Sequence, residues 1–292
     1  MNRNQDIGAK KSEAALPGGV RFPGIFGILN ITEDSFSDGG KFLDPKAARE
    51  QAKWLIDRGA DALDLGGASS NPSAKAVPPE TEIARLKPIV ALAKKKGWSI
   101  SIDSFDAKTQ SWALAQGVDY INDIQGFADP EMYPLLAASK AKLIVMHSVQ
   151  GKGRARKIAS DPATIMGRIA DFFDARIAAL AAAGIARRRL ILDPGMGLFV
   201  GTDPEVSLTI LRRLNQLKSV FGLPLFLSVS RKSFLRKLAG REVAEIAPAT
   251  IAAEMYMALH GADYIRTHDP GQIRDALTIW SHIAPGPRLS FA

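Results

Sequence analysis

A (β/α)8 TIM barrel folded as a single domain is the class that the sequence predicts, and three observations carry it. Short apolar runs alternate with stretches of helical period eight times. A stop glycine or a turn precedes almost every apolar run, and the runs end in Asn, Asp, His, Arg or Lys. Polar residues at many strand ends are what a barrel needs to build one site on its carboxyl-terminal face. The 292 residues suit one such unit, which commonly takes about 250. Residues 1–23 read as a flexible N-terminal tail, 24–284 as the barrel and 285–292 as a C-terminal tail.

Gly24 to Asn30 is the first strand, and it continues into a polar loop closed by Gly39-Gly40. Asp44-Pro45 opens a helix to Arg58, with Pro in the first turn and Ala47, Ala48, Ala52, Leu55 and Ile56 on one side. The second strand, Ala60 to Leu65, leads into a long loop from Gly66 to Pro79 that carries three prolines. A helix follows from Glu80 to Lys96 and stops at Gly97. Strand three, Trp98 to Asp103, alternates with period two, so Ser99, Ser101 and Asp103 share one face and Ile100 and Ile102 the other. The rhythm then runs through helix Ala107 to Gln116, strand Val118 to Asp123, helix Pro130 to Ala138 and strand Ala141 to Met146. After a long basic loop from His147 to Asp161 come helix Pro162 to Ala183 and strand Arg189 to Asp193. The last third reads as helix Pro204 to Phe221, strand Leu223 to Val229, an Ala-rich helix Pro248 to His260, strand Ala262 to Thr267 and helix Gly271 to Ile283.

Composition narrows the function classes. The chain is 46% hydrophobic and 23% charged, as in an ordinary globular protein. No apolar run reaches the roughly 18 residues of a membrane span, and the start lacks a signal-peptide apolar core, so a cytoplasmic enzyme without a membrane role is expected. The absence of Cys excludes disulfides, thiolate metal sites and Cys nucleophiles. The 38 basic against 30 acidic residues give +8, but the positive residues are scattered and carry no interleaved aromatics. That pattern reads as solvated helix ends rather than a nucleic-acid surface. There is no G-x-G-x-x-G after the first strand, no P-loop and no dense His cluster, so dinucleotide, NTP and structural zinc sites of those kinds are not expected.

The strand-end residues carry the chemistry. Arg266 and His268 lie two apart and face the same side of an extended chain, where they suit a phosphate or pyrophosphate. Asp103, Asn122 and Asp193 suit a flat heterocycle with adjacent N–H donors, because a carboxylate accepts two parallel hydrogen bonds. Lys232 could satisfy a ring carbonyl or nitrogen while keeping the carboxylates paired. Asp64, Asp106, Asp123 and Asp129 read instead as helix N-caps or turn formers. His147 is open between a packed and a site residue, while His260 and His282 fall on helices as structural or exposed groups.

Taken in order, Asn30-Ile-Thr-Glu-Asp-Ser-Phe-Ser-Asp-Gly-Gly40, Asp64-Leu-Gly-Gly-Ala-Ser-Ser-Asn-Pro72, Asn122-Asp123, Asp193-Pro-Gly-Met-Gly197, Ser230-Arg-Lys-Ser233 and Arg266-Thr-His268 form a set that resembles the dihydropteroate synthase family over nearly the whole chain. Asn122-Asp-Ile-Gln-Gly-Phe127, Met146-His-Ser-Val-Gln150 and Ser228-Val-Ser-Arg-Lys-Ser-Phe234 are closer still to its acquired, sulfonamide-insensitive (Sul-type) branch. The resemblance implies an enzyme of folate synthesis that joins 4-aminobenzoate to 6-hydroxymethyl-7,8-dihydropterin diphosphate and releases pyrophosphate, with Mg2+ bound, as a homodimer. Carried over by position, it implies that Asp103, Asn122, Asp193 and Lys232 hold the pterin, and that Asn30, Ser70, Arg266 and His268 hold the pyrophosphate, with the metal at Asn30. Ser230, Lys232, Pro72, Met196 and Phe199 would border the aminobenzoate, and Lys232, Arg266, His268 and Asp103 would be the catalytic set. Asp34, Ser35 and Phe36 would belong to a mobile loop that contacts the reacting centre. Two departures stand out: Ser70-Asn71 replaces the common Thr-Arg, and Leu198 precedes Phe199 where the insensitive branch shows two aromatics. The competing readings are a pterin-binding methyltransferase, which should lack the first-loop and Ser-Arg-Lys-Ser signatures, and a non-catalytic pterin-binding protein.

Overall fold

In the computed structural model the described residues are 15–16, 20–33, 40, 42–71, 74–151, 153 and 155–283. Eight parallel strands form the wall: β1 Gly24–Asn30, β2 Ala62–Gly66, β3 Ser99–Asp103, β4 Tyr120–Asp123, β5 Lys142–Met146, β6 Leu190–Asp193, β7 Phe226–Leu227 and β8 Tyr264–Thr267. Apart from β6 and β7, each pairs with its neighbour in sequence, and β8 pairs with β1 as well as β7. The seam between β6 and β7 is closed by a parallel bridge from Leu192 to Leu225, with the Leu192 amide donating to the Pro224 carbonyl at 2.8 Å. Closure removes both sheet edges, as the eightfold alternation predicts. Before the barrel, Ala15–Leu16 pairs antiparallel with Val20–Arg21.

The helices cover the outside because their apolar stripes match the outward faces of the strands. α1 (Pro45–Asp57) is capped by the Asp44 side chain, which accepts from the Ala47 amide at 3.0 Å, and buries Ala48, Ala52 and Leu55. α2 (Pro79–Lys96), α3 (Ala107–Ala115), α4 (Tyr133–Ala138) and α5 (Ile165–Ala182) follow in the expected places. The stretch read as one helix from 204 to 221 is two, α6 (Pro204–Arg212) and α7 (Leu214–Phe221). Arg213 leaves helical geometry at φ −112 and ψ 18, and the break lets Leu214, Leu217 and Phe221 bury on a line different from that of Val206 and Ile210. α8 (Ser233–Ala239) was not foreseen: it buries only Phe234 and Leu235, too few for a readable period. α9 (Ala247–Leu259) and α10 (Pro270–Ile283) complete the layer.

Packing divides into three regions. The large core lies between the sheet and the helices. A second cluster of Phe26, Ala62, Ile144, Ile191 and Phe226, with Tyr120 and Tyr264 against it, plugs the barrel at its amino-terminal end. Phe26 sits edge-on to Tyr120, Phe226 and Tyr264, with ring centres 4.9, 5.1 and 5.5 Å away. The third cluster, Ile124, Met146, Ala155 and Phe199 with Phe105 and Leu198, borders the carboxyl-terminal mouth.

A short motif stitches the amino-terminal rim. Asp61, Asp119 and Asp263 each follow a glycine by two residues and precede β2, β4 and β8. Each donates its own amide to a carbonyl in the preceding strand segment, Ile25, Ile100 and Leu225 respectively, and its carboxylate accepts that same residue's amide at 2.7, 2.9 and 2.7 Å. Asp61 and Asp263 also pair with Arg274 and Lys218. Asp119→Ala is expected to lower the free energy of unfolding by about 1–3 kcal/mol. Asp119→Asn should cost less, because an amide oxygen still accepts from Ile100; equal losses for the two variants in urea denaturation would contradict this account.

Candidate active site

Period-two alternation sets which residues enter the barrel. On β1, Ile28 and Asn30 line a cavity at the carboxyl-terminal mouth; on β3 it is Asp103, and on β8 Arg266, with His268 just beyond. The cavity encloses about 290 Å3. Asn30, Ser70, Asp103, Phe199, Ser230, Lys232, Arg266 and His268 of the expected set line it together. Asn122, Asp193 and Met196 do not; they are buried around it, and the Met196 carbonyl accepts from the Lys232 ammonium at 3.2 Å. Pro72, Asp34, Ser35 and Phe36 lie outside the described residues.

The floor is an ion cluster. Arg266 donates through Nε to Asp64, which is fully buried, and through Nη2 to Asp103 at 2.6 Å. Burial raises the Asp103 pKa, with Arg266 pulling the other way, while Asp64 and Asp103 keep the buried guanidinium charged. Asp64 therefore departs from its reading as a cap: it caps no helix, since Asp44, Asp106, Asp129 and Asp203 do that work, and it faces inward because its register places it beside Ile28 and Ser101. Asp106, Asp123 and Asp129 behave as read, Asp123 holding the turn after β4 through the amides of Gln125 and Phe127.

Across the barrel, Asp193 and Lys232 form a second charged group. Burial pushes the Asp193 carboxyl up to about 6, against the Gly195 amide that donates to it at 2.8 Å and the charge of Lys232. Burial pushes the Lys232 ammonium down to about 8, with Asp193 opposing. The ammonium also lies 5.1 Å from the Phe199 ring centre. Gly195 has φ +75, and a Cβ there would stand 2.4 Å from the His147 carbonyl, so only glycine lets the β6 turn close beneath that strand end.

His268 and Ser230 form the third group. The Ser230 hydroxyl lies 2.9 Å from His268 Nδ1 and accepts the His268 amide at 3.2 Å. Burial, followed by the charges of Arg231, Arg266 and Lys232, holds the His268 ring well below its ordinary pKa. A neutral ring whose Nδ1 accepts a hydrogen bond from the Ser230 hydroxyl carries its own proton at Nε2. Arg231 sits between these groups in left-handed geometry, φ +59, a strained conformation at a strand end. His147 resolves as a packed residue: it is buried, Nδ1 bonds the Pro194 carbonyl at 3.1 Å, and burial lowers its pKa to about 4.

Several buried polar atoms have no partner among the described residues: Asn122 Oδ1, Asp64 Oδ1, Thr32 Oγ1 and Arg236 Nε. Each costs on the order of 1–3 kcal/mol if left so. Asn122 stands beside Asp103 in register, so its amide oxygen is an acceptor on the floor. Thr32 and Asn30 line one side of the cavity, and among the described residues no group of three or more His, Cys, Asp or Glu could hold a metal. Reasoning from sequence missed Glu82, whose buried carboxyl accepts from Thr109 at 2.7 Å, and Arg236, which lines the mouth from the unforeseen α8. It also missed Glu254, buried on α9, where burial raises its pKa to about 8.

Over residues 26–268 the chain matches the family described as pterin binding enzyme. It is 54% identical over 265 residues to the dihydropteroate synthase type-2 of Escherichia coli, covering 91% of this chain and 97% of that protein. Its structure is similar to that of the dihydropteroate synthase of Xanthomonas albilineans with 4-aminobenzoic acid, at TM-score 0.81 and 33% identity, over 91% of this chain and 94% of that one. It is also similar to the dihydropteroate synthase of Anaplasma phagocytophilum with bound 6-hydroxymethylpterin-monophosphate, at TM-score 0.77 and 36% identity, over 90% and 100% of the two chains.

Removing one partner from the ion floor strands the other. Asp64→Ala is expected to cost about 3–5 kcal/mol of stability, as for other broken buried pairs. A loss below about 1 kcal/mol in guanidinium denaturation would mean that the cluster is not held as described.

Proposed function

The chain belongs to the pterin-binding enzymes, within the Sul-type branch of the dihydropteroate synthases, and from that membership we propose how its barrel mouth divides the work. The reaction condenses 4-aminobenzoate with 6-hydroxymethyl-7,8-dihydropterin diphosphate to give 7,8-dihydropteroate and pyrophosphate. The single observation that carries the assignment is the set of buried acceptors on the floor. Among the described residues Asn122 Oδ1 and Asp64 Oδ1 lack partners, and the buried Asp193 carboxyl accepts from the Gly195 amide. A flat pterin ring with adjacent N–H donors satisfies Asp103, Asn122 and Asp193 at once, and Lys232 supplies the donor for its acceptor side.

Asn30, Ser70, Arg266 and His268 take the diphosphate. As the C–O bond to the pterin methylene breaks, negative charge grows on the departing pyrophosphate and positive charge spreads into the ring. Arg266 and the His268 Nε2–H stabilise the first, and the Asp103 and Asp193 carboxylates stabilise the second, all fixed before the reaction begins. The 4-aminobenzoate nitrogen then forms the new C–N bond and gives up one proton, so no protein nucleophile is required. The Asn30 carbonyl oxygen and the unpartnered Thr32 hydroxyl fit Mg2+, which keeps most of its water and takes few protein ligands. When bound, Mg2+ would neutralise charge on the leaving diphosphate. The methyltransferase reading finds no support in a chain that keeps the first-loop and Ser-Arg-Lys-Ser signatures, and no lost site residue motivates the non-catalytic one.

Ser230, Lys232 and Phe199 border the aminobenzoate, with Met196 behind them holding the Lys232 ammonium through its carbonyl. Phe199 and Leu198 narrow the mouth, and on that shape rests the proposal that the enzyme prefers 4-aminobenzoate over bulkier sulfonamides; competitive inhibition that matches the 4-aminobenzoate affinity would dismiss it. Residues 24–284 as one catalytic unit and a cytoplasmic homodimer complete the proposal, with sedimentation testing the dimer. Among the described residues no helix is long and apolar enough to cross a membrane.

Pyrophosphate release should require both substrates, and absence of turnover with Mg2+ would overturn the reading. His268→Ala and Lys232→Ala should each lower kcat/KM by ~100-fold or more, as for loss of other preorganised donors, with melting temperatures that show a folded chain. The pH profile of kcat/KM should fall from about 7 downward as Asp103 and then, near 6, Asp193 take protons, because their ionised forms bind the ring. It should fall again above about 8 as Lys232 loses its proton. A flat profile through these values would contradict these roles.

A further inference from the structure

Arg236 has no part in the assignments above. It lies on α8, four residues after Lys232 and three after Ser233, and all three line the cavity. Residues three and four apart share one face of a helix, so Lys232, Ser233 and Arg236 form a ladder along one wall of the cavity. Lys232 is engaged by the Met196 carbonyl, the Phe199 ring and the charge of Asp193. Arg236 is not: its Nε is buried without a partner, and among the described residues its guanidinium makes no ion pair. Leu198 and Phe199 line the same cavity, an apolar surface for a ring.

The second substrate has a shape that matches this ladder. Its amine must reach inward to the pterin methylene, and its carboxylate is para to the amine, so the carboxylate points outward. One helical turn, about 5.4 Å, is close to the length of a benzene ring with its para substituents. A planar guanidinium one turn along the ladder is the group suited to receive a carboxylate by two parallel hydrogen bonds.

Resting on the synthase reading, we propose that Arg236 determines specificity for the acid substrate, its guanidinium receiving the 4-aminobenzoate carboxylate while the amine lies inward beside Lys232. The ladder also gives a reason for the buried Nε, which has no partner among the described residues; the carboxylate would supply one.

Steady-state kinetics on the full chain test this. Arg236→Gln and Arg236→Ala should raise KM for 4-aminobenzoate by about 10- to 100-fold, the range for loss of a charged hydrogen bond, with KM for the pterin diphosphate unchanged. Arg236→Lys should recover part of the loss, because it keeps the charge without the fork. Inhibition by 4-aminobenzamide, which has the same ring and amine but no charge, should be unaltered by these variants. A KM for 4-aminobenzoate within twofold of the parent, or equal losses for the acid and the amide, would overturn the proposal. If the parent protein itself fails to turn over, the synthase reading falls instead, and direct calorimetry of 4-aminobenzoate binding to the parent and Arg236→Gln then decides the Arg236 role separately.

Discussion

The Arg266 guanidinium, buried inside the barrel between Asp64 and Asp103, is the interaction on which the site depends. Taking three charges out of water costs several kcal/mol per ion, and only good geometry offsets it. The geometry is available because β8 and β2 flank β1, and β3 flanks β2, in parallel register, with Arg266 opposite Phe26, Asp64 opposite Ile28 and Ser101, and Asp103 two residues beyond Ser101. Two acids face one base on the floor, which carries an excess negative charge wherever Asp103 is ionised, whereas Asp193 and Lys232 lie across from it as an oppositely charged pair. A donor-rich ring that gains positive charge during reaction is thus favoured on this floor, and Arg266 extends the same cluster toward a departing anion.

Everything above the floor follows from the alternation that put Arg266 there. His268 falls on the same side two residues later, and Ser230 at the end of the neighbouring strand reaches it by hydrogen bond. Below the floor the aromatic plug of Phe26, Tyr120, Phe226 and Tyr264 fills the space that a polar interior could not, so the ions rest on a packed base. The paired backbone and carboxylate bonds of Asp61, Asp119 and Asp263 then fix the starts of three strands, and with them the heights at which the inward residues stand. Stability at one rim and chemistry at the other are two ends of the same register.

Much of this was legible in the residues themselves. Apolar runs ending in Asn30, Asp103, Asn122, Asp193 and Arg266 predict strands and their inward polar ends, because strand period is two and needs few residues to declare itself. Asp64 was misread because a single Asp before Gly-Gly is also a turn former, and only register distinguishes the two. α8 was missed because seven residues with two buried side chains carry no period, and Arg236 was lost with it. The Gly-x-Asp repeat at 59–61, 117–119 and 261–263 was present in the sequence as a signal, but its meaning is a pairing between neighbouring strands, which no local pattern displays. Ser70 and Asn30 were placed in the cavity as expected, whereas Met196 lies behind it and acts through its carbonyl.

If the Arg266 cluster governs the site, its fork and not merely its charge must matter, since Nε and Nη2 serve two different carboxylates. The most direct measurement is calorimetry of Arg266→Lys with two separate ligands, inorganic pyrophosphate and 6-hydroxymethylpterin monophosphate. The account predicts that both affinities fall by more than about tenfold, because a lysine makes point contacts and cannot hold Asp64 and Asp103 together. Parent-like affinity for both ligands in a folded Arg266→Lys variant would contradict it.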